Sequence, residues 1–174
     1  MEEITTAKKM SQEQAFAWFD RLAPVRPEEL TGIWRGTEIA TGHPMDGLLG
    51  AIGWFGKEIR SQEEVHPLLF AGNRGKTFSG NPGLMPLTAL ISAPRLLIKM
   101  LFAVASPFIH TKKGRGRLCI REYRGKNTTV MQYDQKPILD AFVRIDDHSI
   151  LGVSDMKWTR QTGYFFTLTK VSMD

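Results

Sequence analysis

A tryptophan with a glycine two residues away on either side, Gly32-Ile33-Trp34-Arg35-Gly36, constrains the fold more than any other stretch of this 174-residue chain. In an extended strand alternate residues share a face, so the two glycines leave room for the indole to lie against the backbone. The pattern predicts the first strand of a closed sheet, with Trp34 plugging one end and Gly32, Trp34 and Gly36 acting structurally. Such a strand describes a container and leaves its contents open.

The segments on either side fit that frame. Ser11 followed by Gln14 is a capping-box pattern, and Ala15, Phe16, Phe19 and Leu22 then recur at helical spacing, so a short amphipathic helix precedes the barrel. Pro24 and Pro27 end it, and Pro27-Glu28-Glu29-Leu30 reads as one further turn. Asp46 to Ile52 reads as a helical turn closed by Gly53. Trp54-Phe55-Gly56-Lys57-Glu58-Ile59 is a strand with a glycine that permits a bulge, Val65 to Phe70 is another strand, and Lys76-Thr77-Phe78 is a brief one within a Gly/Asn/Pro-rich loop.

The most apolar stretch runs from Leu84 to Ile109. Arg95 and Lys99 near its middle, and Pro86, Pro94 and Pro107 along it, argue against a membrane span, because a cation at the bilayer centre costs about 2.5–3.5 kcal/mol. It reads as a helical insertion between Leu87 and Ala105, broken at Pro94, that packs on the core; a membrane-surface role is the alternative. From Arg115 onward short strands alternate with turns. Arg117 to Tyr123 places Leu118 and Ile120 on one face. Leu139, Ala141, Val143 and Ile145 form an apolar face, while Ile138, Asp140, Phe142 and Arg144 form a mixed one. Ile150 to Val153 and Tyr164 to Val171 complete an antiparallel meander.

The expected architecture is therefore mainly β, a lipocalin-like antiparallel barrel with an N-terminal helix and an apolar helical insertion. We expect one domain over 1–174, organised as helix (1–30), first strands and loops (31–83), insertion (84–110) and meander (115–174). Several ordered motifs carry a resemblance: Gly32 to Gly36, Gly53-Trp54-Phe55-Gly56-Lys57, Tyr133-Asp134-Gln135-Lys136-Pro137-Ile138-Leu139-Asp140-Ala141-Phe142 and Ile150-Leu151-Gly152-Val153-Ser154-Asp155. Together they resemble the bacterial GXWXG protein family, whose C-terminal half is a domain of unknown function. The resemblance implies a barrel like those of lipocalin-type and fatty-acid-binding proteins, which is a statement about fold and not about activity.

A barrel of this size either is packed solid or encloses a ligand. The leading expectation is sequestration of a small hydrophobic molecule with an acidic or carbonyl head group. Trp54, Phe55, Phe78, Tyr133 and Phe142 would form its walls, and Lys57, Arg121 and Asp134 its polar fixings. In a second reading the cavity is an active site for an acid/base isomerisation, cyclisation or dehydration. Asp134 or Asp140 would then have a carboxyl pKa raised by desolvation, assisted by Tyr133. The plainer role for Asp134 is to hold the turn before Pro137 through backbone N–H groups, and Arg121 and Arg144 are candidate partners for the carboxylates. In a third reading the chain presents Leu84 to Ile109 to a partner or membrane surface and has no cavity.

His43, His66, His110 and His148 are too dispersed for a metal site, with Cys119 the sole cysteine. Haem-binding barrels with a similar strand take their ligand from a C-terminal histidine. The last strand here has none, leaving only His148 in a turn, so no cofactor is expected. Cys119 stands mid-strand and reads as a half-buried thiol. The basic run Lys112-Lys113-Gly114-Arg115-Gly116-Arg117, continued by Arg121, Arg124 and Lys126, contains too few aromatics for a nucleic-acid surface. One cysteine and no signal pattern at Met1-Glu2-Glu3 make the cytoplasm the expected compartment.

Overall fold

The computed structural model describes residues 9–72, 75–159 and 162–172. Helix α1 (Gln12–Arg21) is followed by a two-residue strand β1 (Ala23–Pro24), a 3-10 turn at Pro27–Leu30 and strand β2 (Gly32–Ile39). Helical turn α2 (Leu48–Ala51) leads to β3 (Trp54–Ile59), β4 (Val65–Ala71) and β5 (Thr77–Ser79). The apolar segment forms α3 (Leu87–Leu90) and α4 (Arg95–Ala105), separated at Pro94 as the sequence predicts. Strands β6 (Gly116–Tyr123), β7 (Lys126–Tyr133), β8 (Ile138–Arg144), β9 (Ser149–Met156) and β10 (Tyr164–Lys170) complete the meander.

All strand pairs are antiparallel. Their order is β8-β7-β6-β4-β3-β2-β10-β9, and β9 pairs back to β8, so eight strands close a barrel. Strand β1 adds to the end of β8, and β5 adds to β4. The seam is thinnest between β4 and β6, where Val65 opposite Gly116 is the paired position. Beyond that point β6 has no β4 neighbour, which explains why Ile120, sharing a face with buried Leu118, is nonetheless 59% exposed.

Two apolar clusters flank the barrel wall. The interior one contains Trp34, Trp54, Phe142 and Phe166 among others. The outer one joins Ala15, Trp18 and Phe19 of α1 to Ala141, Val143, Leu151, Val153 and Phe165. The clean apolar face of β8 thus lies outside, under α1, and its mixed face points inward. That inversion is possible because a helix supplies the apolar cover that solvent cannot.

The capping box on α1 is present as expected, with Ser11 and Gln14 bonding each other's backbone N–H. The C-terminus of the helix is held by the β6–β7 turn. Lys126 Nζ donates to the carbonyls of Phe19, Asp20 and Leu22, and Arg124 donates two bonds to the Asp20 carboxylate. The Arg124 hydrogen bond holds the Asp20 carboxyl below its usual pKa range. Part of the basic run is therefore spent on docking α1.

The glycines around Trp34 serve other residues than the sequence suggests. A Cβ on Gly36 would overlap the ring of Trp54, not that of Trp34, and one on Gly56 would overlap the Trp34 carbonyl oxygen. Trp34 is buried and its Nε1 donates to Leu30 O at 2.7 Å, tying the strand to the Pro27–Leu30 turn. No helix among the described residues is long and apolar enough to cross a membrane.

Candidate functional site

Among the described residues, the barrel interior holds one buried ion pair. Lys57 Nζ lies 2.7 Å from Asp140 Oδ2, with side chains 2% and 0% exposed. The ammonium also donates to Tyr133 OH and to Pro67 O, each at 3.2 Å, which uses all three of its protons. Tyr133 OH donates a hydrogen bond to Asp140 Oδ2 at 3.2 Å, and Ser154 Oγ donates to Asp140 Oδ1. The ammonium sits among aromatic faces, 5.0 Å from the Phe166 ring centre, 5.6 Å from that of Tyr133 and 5.8 Å from that of Trp54. The network is charge-neutral and internally satisfied.

A backbone irregularity delivers Lys57 to this place. Trp54 and Lys57 are three residues apart, so a regular strand would point them to opposite faces. The pairing of β3 with β4 shifts register on both sides of Gly56, whose φ of +152° lies in the range that favours glycine. Both side chains consequently turn inward, and Phe55 turns outward beneath the guanidinium of Arg35 at 4.8 Å. Cross-strand register sets Trp34 opposite Lys57. The Trp34 indole in turn bonds to the Pro27–Leu30 turn, which ties that turn to the strand pair carrying Lys57.

Beside the network is a cavity of about 20 Å³ lined by Trp54, Lys57, Tyr133, Ser154 and apolar neighbours. That is room for roughly one water. Met45, Leu49 and Leu87 supply the part of its wall that does not come from strands, so the start of α3 and the α2 segment cover it. Arg95, at the start of α4, ties that helix to the loop before α2 by donating to Pro44 O and Asp46 O. Outside the cover lies a second, apolar cavity of about 140 Å³, lined in part by Met85, Pro86, Leu90, Ile98 and Phe102. Trp54 lines the inner cavity, and its Nε1 is buried without a hydrogen-bond partner.

Burial and the Asp140 carboxylate raise the Tyr133 pKa well above its ordinary value, so the phenol keeps its proton. Burial likewise raises Tyr164, whose OH donates to Glu38. His43 is held below its ordinary value by burial, with Asp46 opposing; its Nδ1 accepts from Met45 N at 3.1 Å.

Of the residues nominated from sequence, Trp54, Lys57, Tyr133, Asp140 and Phe142 come together inside. Asp134 does not: β7 alternates, so Tyr133 points in and Asp134 out, where Arg117 Nη2 meets its carboxylate at 3.0 Å. Arg121 is exposed near the far end of β6. Arg144, at the end of β8, pairs with Glu29 of the Pro27–Leu30 turn and does not reach the ion pair. Phe78, in β5, packs against Phe70 and stacks on His110 with ring centres 4.0 Å apart, away from the wall of the inner cavity. His148 lies exposed in the β8–β9 turn. No group of three or more His, Cys, Asp or Glu among the described residues is arranged to hold a metal ion. Ser154 went unnominated, although a hairpin turning at Asp147 sets residue 140 opposite 154, as the register has it.

Comparison with known proteins adds family and fold. Residues 17–75 match the sequence model of the GXWXG protein family, and residues 114–170 match a domain of unknown function, DUF4334. None of the curated proteins matches the chain. A crystal structure of a protein from Thermomonospora curvata is similar to this chain at 25% identity with a TM-score of 0.74, covering 98% of this chain and 95% of the other.

Proposed function

The chain belongs to the GXWXG protein family, with a C-terminal domain of unknown function, and from that premise we propose that it binds a small hydrophobic molecule bearing a carbonyl head group inside the barrel. The observation that carries this reading is the unpartnered Nε1–H of Trp54, a residue lining a cavity whose other polar liners, Lys57, Tyr133 and Ser154, already bond within the Asp140 network. A buried donor without a partner costs about 1–3 kcal/mol, and a ligand oxygen would recover it. A carboxylate fits less well, because Lys57 already directs its protons to Asp140, Tyr133 and Pro67. The ion pair supports the same reading from another side. Buried pairs are weak contributors to stability, so a fixed polar floor beneath an apolar chamber is better explained by recognition than by folding.

Ligand pockets usually occupy about 300–1,000 Å³, far above the inner cavity, so binding displaces the cover. The Met85–Leu87 segment separates the inner cavity from the apolar one under α4, and its movement would join head-group and tail compartments. Acid/base catalysis is the second reading, favoured by the contact of Tyr133 OH with both Asp140 and Lys57. Against it, Asp140 already accepts hydrogen bonds from Lys57, Tyr133 and Ser154.

Native mass spectrometry of protein isolated from its own cells tests the proposal. A bound apolar carbonyl compound, lost from Trp54→Phe, is the expected result. Bare protein in every preparation, together with no mass shift on adding 2-undecanone, would overturn it.

A further inference from the structure

Helix α4 turns its apolar side chains the wrong way for a water-soluble surface. Ile98 alone on it is buried, while Leu96 (71% exposed), Met100 (62%) and Val104 (73%) stand one turn apart along the outward face. Leu97 and Leu101 flank that ridge, and Phe108, just beyond the helix, is 80% exposed. The patch is contiguous, which single exposed apolar residues elsewhere are not.

Charge identifies what covers it. Between Glu64 and Glu122 the sequence has nine Lys and Arg and neither Asp nor Glu. Lys99 is exposed on α4 itself, at the margin of the apolar face, and exposed Lys112 and Lys113 follow Phe108 within five residues. Long amines at the edge of an apolar helix face can lie along it and reach outward to anionic groups. We propose that this face docks on an anionic lipid bilayer surface, with α4 lying in the interfacial plane and the lysines on phosphate head groups.

Two other occupants fit less well. A second copy related by a two-fold axis would bring the same cationic margin against itself. A protein partner of ordinary kind would need hydrogen bonds at about one per 100–200 Å², whereas Leu96, Met100 and Val104 offer no polar atom. Lipid tails ask for none. The helix is too short to cross, so the contact is peripheral.

Flotation of the intact protein with vesicles tests the docking independently of the barrel interior. Phosphatidylcholine vesicles containing about 30 mol % phosphatidylglycerol should bind at least about tenfold more protein than pure phosphatidylcholine, with the difference shrinking at high salt. The variant Leu96→Glu/Met100→Glu/Val104→Glu should lose about tenfold or more of that partition at an unchanged melting temperature, since each side chain is exposed in the free protein. A second variant, Lys112→Gln/Lys113→Gln, should retain the fold and lose the preference for anionic vesicles. Equal or absent binding to both vesicles would overturn the proposal. So would a dimer in sedimentation equilibrium that the triple variant dissociates, because it would assign the face to a second copy.

Discussion

Lys57 and Asp140 are worth most to each other when both are present. Removing one leaves the other charged or polar group buried without its partner, at a cost of about 3–5 kcal/mol, while replacing both with apolar side chains of similar size is often close to neutral. Lys57→Met and Asp140→Asn should therefore each lower the unfolding free energy by about that amount in urea titrations, and Lys57→Met/Asp140→Leu should recover most of it. Single losses that simply add in the double variant would mean that the pair is not coupled. At this scale the sequence reveals residue types better than residue directions. Tyr133 and Asp134 are adjacent and equally suggestive as letters, yet the two-residue period of β7 puts one against the ion pair and the other against Arg117 outside.

Among the elements, β3 decides the site, because its irregularity at Gly56 turns both Trp54 and Lys57 inward. Gly56→Ala would place a methyl group against the Trp34 carbonyl and force an L side chain into a backbone region it resists. The variant should be destabilised by at least about 2 kcal/mol, with a thermal melt well below that of the parent. A melt at the parent temperature would show that the bulge is not needed. The bulge was legible as a glycine in a strand; its consequence for the direction of Lys57 was not, because register is set by the facing strand. The capping box of α1, the break at Pro94 and the meander were all readable from local patterns, since each depends on neighbours within a few residues. The faces of β8 were harder to assign. Alternation in β8 showed two faces, but only the position of α1, fixed by Lys126 and Arg124 from a distant turn, makes the cleaner one external.

For the whole molecule, the barrel closes through the β8–β9 pairing and uses strands from both family segments, 17–75 and 114–170, with the helical insertion between them covering the interior. The insertion thus belongs to two surfaces at once: Leu87 faces the inner cavity, and Leu96, Met100 and Val104 face outward. Our central claim is that the interior beside Lys57, Tyr133 and Trp54 receives an apolar molecule. The most direct test is an isotope-filtered nuclear Overhauser spectrum of labelled protein with unlabelled 2-undecanone. Binding in the interior gives contacts from the ketone to Trp54, Phe166 and Met156 within the barrel, and a downfield shift of the Trp54 Nε1–H as it gains an acceptor. Contacts confined to Leu96, Met100 and Val104, or none to any interior residue, would contradict it.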